Sequence, residues 1–85
     1  MQNPIPEQPA NSFRITLELN SRVARMDTTL LNALKAQKEN LNLRIITRQG
    51  LKNLFLEGRI QIKGQRARPS SGLAVGTTYV DILGY

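Results

Sequence analysis

The sequence predicts an α+β domain in which two helices pack on a small, mostly antiparallel sheet. Two stretches alternate apolar and polar residues, two others repeat apolar residues at helical spacing, and glycine or proline separates most of them. The predicted order is strand, helix, helix and then three strands. An 85-residue chain without cysteine has room for one modest core, so we expect one domain.

The first twelve residues differ in composition from the rest of the chain. They contain three of the four prolines together with Asn, Gln and Ser, and such a segment buries too little apolar surface to repay the entropy of ordering. We therefore expect a disordered tail over residues 1–12 and a domain over residues 13–85. From Phe13 to Leu19 the sequence FRITLEL alternates, which predicts an extra N-terminal strand with Phe13, Ile15, Leu17 and Leu19 on one face.

Two helices are predicted next. Asp27 is a suitable N-cap for a helix that runs to about Lys38, and Thr47 is a suitable N-cap for a second helix that ends at Gly58. The segment KENLN interrupts the pattern between them. The expected buried stripes are Leu30, Leu31 and Leu34 in the first helix, and Leu51, Leu54 and Phe55 in the second.

The last third of the chain is predicted to form three strands. RIQIK alternates over residues 59–63, Gly64 supplies a turn, and a short strand with Arg66 and Arg68 follows. A loop over residues 69–72 comes next, and Leu73 and Val75 are expected to pack on the core. Gly76 then turns the chain into a final strand, TTYVDIL, whose Tyr79 we assign to the core together with Phe13.

The positive charge is concentrated in one segment. The chain carries a formal net charge of +6, and residues 44–68 hold seven basic residues against one acid, Glu57, while the remainder is balanced. If this segment folds locally, it forms one positive face that suits a polyanion. A solvated surface that only aids solubility is the alternative for a basic segment taken alone.

Several motifs then occur in order. Arg25-Met26-Asp27 is followed by Leu30, the run TRQGLKNLFLEGRIQIKG spans residues 47–64, and Pro69-Ser70, Leu73, Gly76 and Ile82 come after it. In this spacing the chain resembles the RNA-binding domain first described in ribosomal protein S four, the alpha-L RNA-binding motif, over about residues 25–82. It departs from that pattern at Met26, Leu51, Lys63 and Thr77.

The resemblance implies a surface that binds structured RNA. The expected partner is ribosomal or transfer RNA, and the ribosome is a possible partner assembly. That surface would be built from the starts of both helices and the following hairpin. Guanidinium groups match phosphate oxygens in pairs, and a helix N-terminus adds free N–H groups. The candidate RNA-binding residues are Arg25, Arg48, Lys52, Arg59, Lys63, Arg66 and Arg68.

Other functions have less support. Without histidine or cysteine there is no ordinary nucleophile–base pair, metal site or redox group, so we expect neither an enzyme nor a cofactor. No secretory signal or membrane-spanning stretch is evident, and we expect a cytoplasmic protein. The main alternative is a protein-interaction module that uses the edge of the 13–19 strand and the basic face. DNA binding is possible on charge alone, but no long basic recognition helix is evident.

Overall fold

The computed structural model describes residues 5–85, which form a small α+β domain with an antiparallel four-stranded sheet and three helices. The elements in chain order are β1 (Ser12–Leu19), α1 (Met26–Ala36), α2 (Leu41–Arg44), α3 (Arg48–Leu56), β2 (Ile60–Ile62), β3 (Gln65–Arg66) and β4 (Gly76–Leu83). The predicted fold class is confirmed at this level. Residues 1–4 of the predicted disordered tail lie outside the described residues, and residues 5–11 form neither helix nor strand.

The sheet has the strand order β1-β4-β2-β3. The first and last strands pair along their whole length, from Ser12 opposite Leu83 to Leu19 opposite Gly76. The predicted strand over residues 13–19 is therefore confirmed, with one more residue at its start. Because β4 lies between β1 and β2, the extra strand occupies one edge of the sheet.

The core lies between one face of the sheet and the helices. On the sheet side, Ile15 and Leu17 of β1 share a face with Val80 and Ile82 of β4, since residues at alternate positions point the same way. All six residues predicted for the helical stripes, five leucines and one phenylalanine, are buried. Phe13 is half-buried against this core, as expected. Leu73 is also buried, whereas Val75 is 64% exposed, so its predicted packing is wrong.

Helix α1 begins differently from the prediction. Its N-cap position is Arg25, which makes no side-chain cap, and Asp27 lies inside the first turn, so the prediction of Asp27 as N-cap is wrong. The N–H groups of Met26 and Asp27 donate to the carbonyls of Ser71 (2.9 Å) and Pro69 (3.3 Å). These loop carbonyls satisfy N–H groups that a cap residue would otherwise satisfy.

The rest of the helical layer follows local signals. Thr47 caps α3, because its hydroxyl accepts a hydrogen bond from the Gly50 N–H at 3.0 Å, and Gly58 follows the helix with φ of 73°. Both predicted ends of this helix are confirmed. The short helix α2 was not predicted; Asn40 caps it at the Leu43 N–H (3.1 Å), and Leu43 is fully buried.

The hairpin between β2 and β3 is tight. Lys63 and Gly64 both have positive φ, 54° and 76°, as a two-residue type I′ turn requires. The predicted turn at Gly64 is confirmed, but β3 ends at Arg66, so Arg68 lies outside the strand. Arg68 belongs instead to the loop that contacts the start of α1.

The sheet face away from the core carries a buried ion pair. Asp81 is fully buried there, and its two carboxylate oxygens accept hydrogen bonds from Arg14 Nε (2.7 Å) and Nη2 (3.0 Å). The remaining Nη1 donates to the Pro6 carbonyl at 2.6 Å, and the guanidinium lies 5.3 Å from the ring centre of Tyr79. Val80 and Ile82 point into the core, so Tyr79, at an alternate position of the same strand, lies on the opposite face. The assignment of Tyr79 to the core is therefore wrong.

Candidate nucleic-acid interface

Three separate stretches of the chain meet where α1 and α3 begin. The hydrogen bonds from Met26 and Asp27 to the loop at Pro69–Ser71 hold that loop, and with it Arg68, against the start of α1. Arg48 is the first residue of α3 and lies close enough to Asp27 to act on its charge. We call the exposed cations Arg25, Arg48, Lys52 and Arg68 the helix-start surface.

One acid lies within this surface. The carboxylate of Asp27 accepts hydrogen bonds from Arg25 Nη2 at 3.2 Å and from the Thr28 N–H at 2.9 Å. These bonds, the one from Arg25 foremost, together with the charges of Arg25 and Arg48, hold the pKa of Asp27 below its ordinary value. Asp27 thus stays charged at neutral pH and partly neutralises Arg25, which is the only cation of the surface in an ion pair within residues 5–85.

The two helix starts offer different backbone groups. At α1 the loop carbonyls already occupy the N–H groups of Met26 and Asp27. At α3 the Thr47 hydroxyl occupies the Gly50 N–H, and Arg48 and Gln49 form the exposed first positions of the helix. An α-helix leaves about four N–H groups free at its start. The start of α3 therefore combines a guanidinium, backbone donors and the positive end of the helix dipole.

Arg68 is fixed at the backbone while its side chain is exposed. Its N–H donates to the Ser71 hydroxyl at 3.1 Å, and its carbonyl accepts from the Ser71 N–H at 2.9 Å. The turn-forming composition Pro-Ser-Ser-Gly predicts a loop here, but the contact of the Ser71 hydroxyl cannot be read from it.

Lys63 faces the loop of the helix-start surface across a shallow pocket. It is exposed at the tip of the hairpin, and a shallow pocket between hairpin and loop is lined by Lys63, Arg66 and Ser71. Since Ser71 holds both Arg68 and the start of α1, this pocket connects the hairpin tip to the helix-start surface. Lys63 can thus extend the same positive region.

The other two predicted residues make internal contacts. Arg66 Nη2 donates to the carbonyls of Leu56 (2.6 Å) and Phe55 (3.2 Å) at the end of α3. Arg59 Nε donates to the Leu83 carbonyl at 3.0 Å, and its guanidinium lies 5.2 Å from the ring centre of Tyr85. The nine-residue helix α3 separates these groups from Arg48 by about 12 Å. The structure therefore does not bring all seven candidates together.

Comparison with known proteins identifies no relative. No protein-family model matches the chain, and no match occurs among the curated proteins or the solved structures. The resemblance to the alpha-L motif accordingly stays a prediction. Within residues 5–85, no helix is both long and apolar enough to cross a bilayer.

Proposed function

We propose that this protein binds structured RNA through the helix-start surface, extended by Lys63. One observation carries the proposal: exposed cations from residues 25, 48–52 and 68 lie around the starts of two helices with a single acid, Asp27, among them. Sequence separation alone would not place Arg25 and Arg68 together. Such a convergence of free cations suits the phosphates of a nucleic acid.

The chemistry of the surface favours contact with phosphates. Arg48 can form paired hydrogen bonds to phosphate oxygens, and Lys52, one turn further along α3, adds a compact charge on an exposed position. The aromatic side chains Phe13 and Tyr79 are half-buried on the sheet, and the helix-start surface itself contains no aromatic residue. Since binders of single strands commonly stack bases on exposed aromatic rings, the surface favours RNA read by its shape and backbone.

We infer that five of the seven predicted residues contact RNA. Arg25, Arg48, Lys52, Lys63 and Arg68 are exposed and their side chains donate to no backbone carbonyl within residues 5–85, whereas Arg59 and Arg66 already donate to such carbonyls. The order of two longer helices followed by a hairpin also agrees with an alpha-L-like arrangement, which supports the same surface. The acting part of the basic segment is therefore its beginning together with the hairpin tip and the loop.

The proposal is tested by removing two charges from the surface. We expect Arg48→Gln with Lys52→Gln to weaken binding of a structured ribosomal RNA hairpin about tenfold or more at low salt, measured by fluorescence anisotropy. The slope of log K against log salt should become shallower by about 2, because two phosphate contacts are lost.

A matched control removes the same charge elsewhere. Lys35 and Lys38 are exposed at the far end of α1, about 14 Å along the helix from Met26. Lys35→Gln with Lys38→Gln should weaken binding much less. Equal losses for both pairs would mean that only net charge matters, and equal competition by duplex DNA would contradict RNA as the partner.

A further inference from the structure

The outer edge of β1 has unpaired backbone groups. The Gly84 N–H donates to the Asn11 carbonyl, and the Leu83 N–H donates away from β1 to Arg59. Since bonded pairs alternate along an antiparallel ladder, the odd-numbered residues of β1 bond to β4 and the even-numbered residues point outward. Within residues 5–85, no backbone group bonds to Arg14, Thr16 or Glu18 on that side.

The backbone of Ser12, the even-numbered residue before Arg14, already has one hydrogen-bond partner on this side. The Ser12 carbonyl accepts a hydrogen bond from the Gln8 side-chain amide at 2.9 Å. The open stretch therefore consists of the N–H and C=O groups of Arg14, Thr16 and Glu18. It is centred on Thr16, which is exposed.

The sequence of β1 is self-complementary about this same residue. In an antiparallel pair of two copies with Thr16 opposite Thr16, apolar residues oppose apolar ones and Arg14 opposes Glu18. The remaining opposed residues are Phe13 with Leu19 and Ile15 with Leu17. Apolar cross-strand pairs of this kind stabilise a sheet.

We propose that a second copy of this chain pairs with β1, with the two-fold axis at Thr16, and makes one eight-stranded sheet. In this register Arg14, Thr16 and Glu18 of each copy bond to Glu18, Thr16 and Arg14 of the other. The open N–H and C=O groups of both copies are then all used, and none is left over. A slip of one residue would place outward groups against inward ones and exchange the faces.

Register and burial favour a second copy as the occupant. A slip of two residues sets Glu18 opposite Ser12, whose carbonyl is already bonded to Gln8, or sets Arg14 opposite a residue beyond the end of β1, so the symmetric register is preferred. Phe13 and Leu19 are both half-buried at this edge, and Phe13 of each copy would cover Leu19 of the other across the junction. Edge strands that are protected against pairing commonly carry charges that repel a second copy. The residues of β1 do not repel a second copy in the symmetric register.

The junction is small, and this sets the expected strength. Stable interfaces bury about 1,200 Å² or more in total, and two paired strands of eight residues provide less than a typical obligate dimer. We therefore expect a dimer that dissociates on dilution. The pairing uses no residue of the helix-start surface, so it is independent of RNA binding.

A single cysteine at the axis tests the pairing directly. The chain has no cysteine, so Thr16→Cys introduces the only thiol. Bonded antiparallel partners lie about 5.5 Å apart at Cα, within the range of a disulfide. We expect Thr16→Cys to form a disulfide-linked dimer at least tenfold faster under mild oxidation than Thr77→Cys, followed on non-reducing gels without RNA.

The control shares exposure and face with the test residue. Thr77 is exposed on the outer face of the sheet but lies on β4 opposite Glu18, so its two copies would be about 20 Å apart in the proposed dimer, counting both strand spacing and displacement along the strands. Equal crosslinking rates for the two variants would overturn the proposal. That result would leave the RNA experiment unaffected, because neither threonine belongs to the helix-start surface.

A second measurement uses the protein without a thiol. Sedimentation equilibrium of the unmodified chain should show a mass that rises with concentration toward the dimer. Thr16→Lys places two like charges together at the axis and should raise the dissociation constant at least tenfold, while Gln65→Lys, at an exposed position on the opposite edge strand β3, should leave it nearly unchanged. A monomer at all concentrations, or equal effects of both lysines, would overturn the proposal.

Discussion

The two ends of α3 use arginine in different ways. At its start, Arg48 is exposed and has no ion pair within the described part of the chain. At its end, Arg66 donates to the carbonyls of Phe55 and Leu56, and Arg59 bonds to Leu83. Both groups come from the same basic segment. The difference shows that a count of positive charge does not identify a binding surface, because donors already bonded within the fold are less available to a ligand.

Arg14 gives the extreme case of a cation that serves the fold. We expect Arg14→Met to lower the free energy of unfolding by about 3 kcal/mol in urea titrations, because it leaves the buried carboxylate of Asp81 without its partner. RNA affinity of the folded protein should change little. Replacing both members, Arg14→Met with Asp81→Leu, should recover most of the loss, and a loss below about 1 kcal/mol for the single variant would contradict this role.

Substitutions of Arg66 and Arg48 compare the two ends of α3 directly. We expect Arg66→Met to lower unfolding free energy by about 1 kcal/mol, since it removes two charge-assisted bonds to carbonyls at a helix end. Arg48→Met should change stability by less than about 0.5 kcal/mol, as is usual for exposed positions, but weaken RNA binding several-fold. If Arg66→Met weakened RNA binding as much as Arg48→Met, the distinction between the two ends would fail.

Asp27 tests the electrostatics of the helix-start surface with the smallest change. Asp27→Asn removes the only acid there and frees Arg25, so we expect RNA affinity to rise about threefold at low salt. The amide can still accept from the Thr28 N–H, which limits the effect on the helix. A fall in affinity would show that the pair with Arg25 positions the arginine for binding.

The same variant has a defined pH dependence. The fold lowers the pKa of Asp27, so the charged carboxylate stabilises the protein at pH values above the ordinary pKa of about 3.9. This contribution is lost as pH falls through the lowered value. The stability difference between wild type and Asp27→Asn should therefore be constant near neutral pH and shrink in acid, as measured by urea titrations at each pH.

Local signals account for most elements of the fold. The alternation of FRITLEL predicted β1 to within one residue, Thr47 and Gly58 predicted both ends of α3, and Gly64 predicted the hairpin turn. These succeed because periodicity, caps and left-handed turn residues act over a few neighbouring positions. The buried leucines of α1 follow for the same reason.

Tertiary contacts decided the remainder. The start of α1 depends on carbonyls of Pro69 and Ser71, more than forty residues away, so Asp27 could not be recognised as a residue inside the first turn. Tyr79 faces away from the core because Val80 and Ile82 of the same strand face it. In TTYVDIL either set of alternate residues could face the core, so the pattern alone does not decide between the two faces.

By itself, the sequence determined where most of the helices and strands form and that the net positive charge comes from residues 44–68. Only the tertiary structure decided which cations remain exposed and which neighbours they have. Arg25 joins Arg68 through backbone bonds between distant segments, whereas Arg59 and Arg66 donate to backbone carbonyls within the fold. The physical reason is that a hydrogen-bond donor finds its acceptor in three dimensions, and residue type alone does not reveal that acceptor.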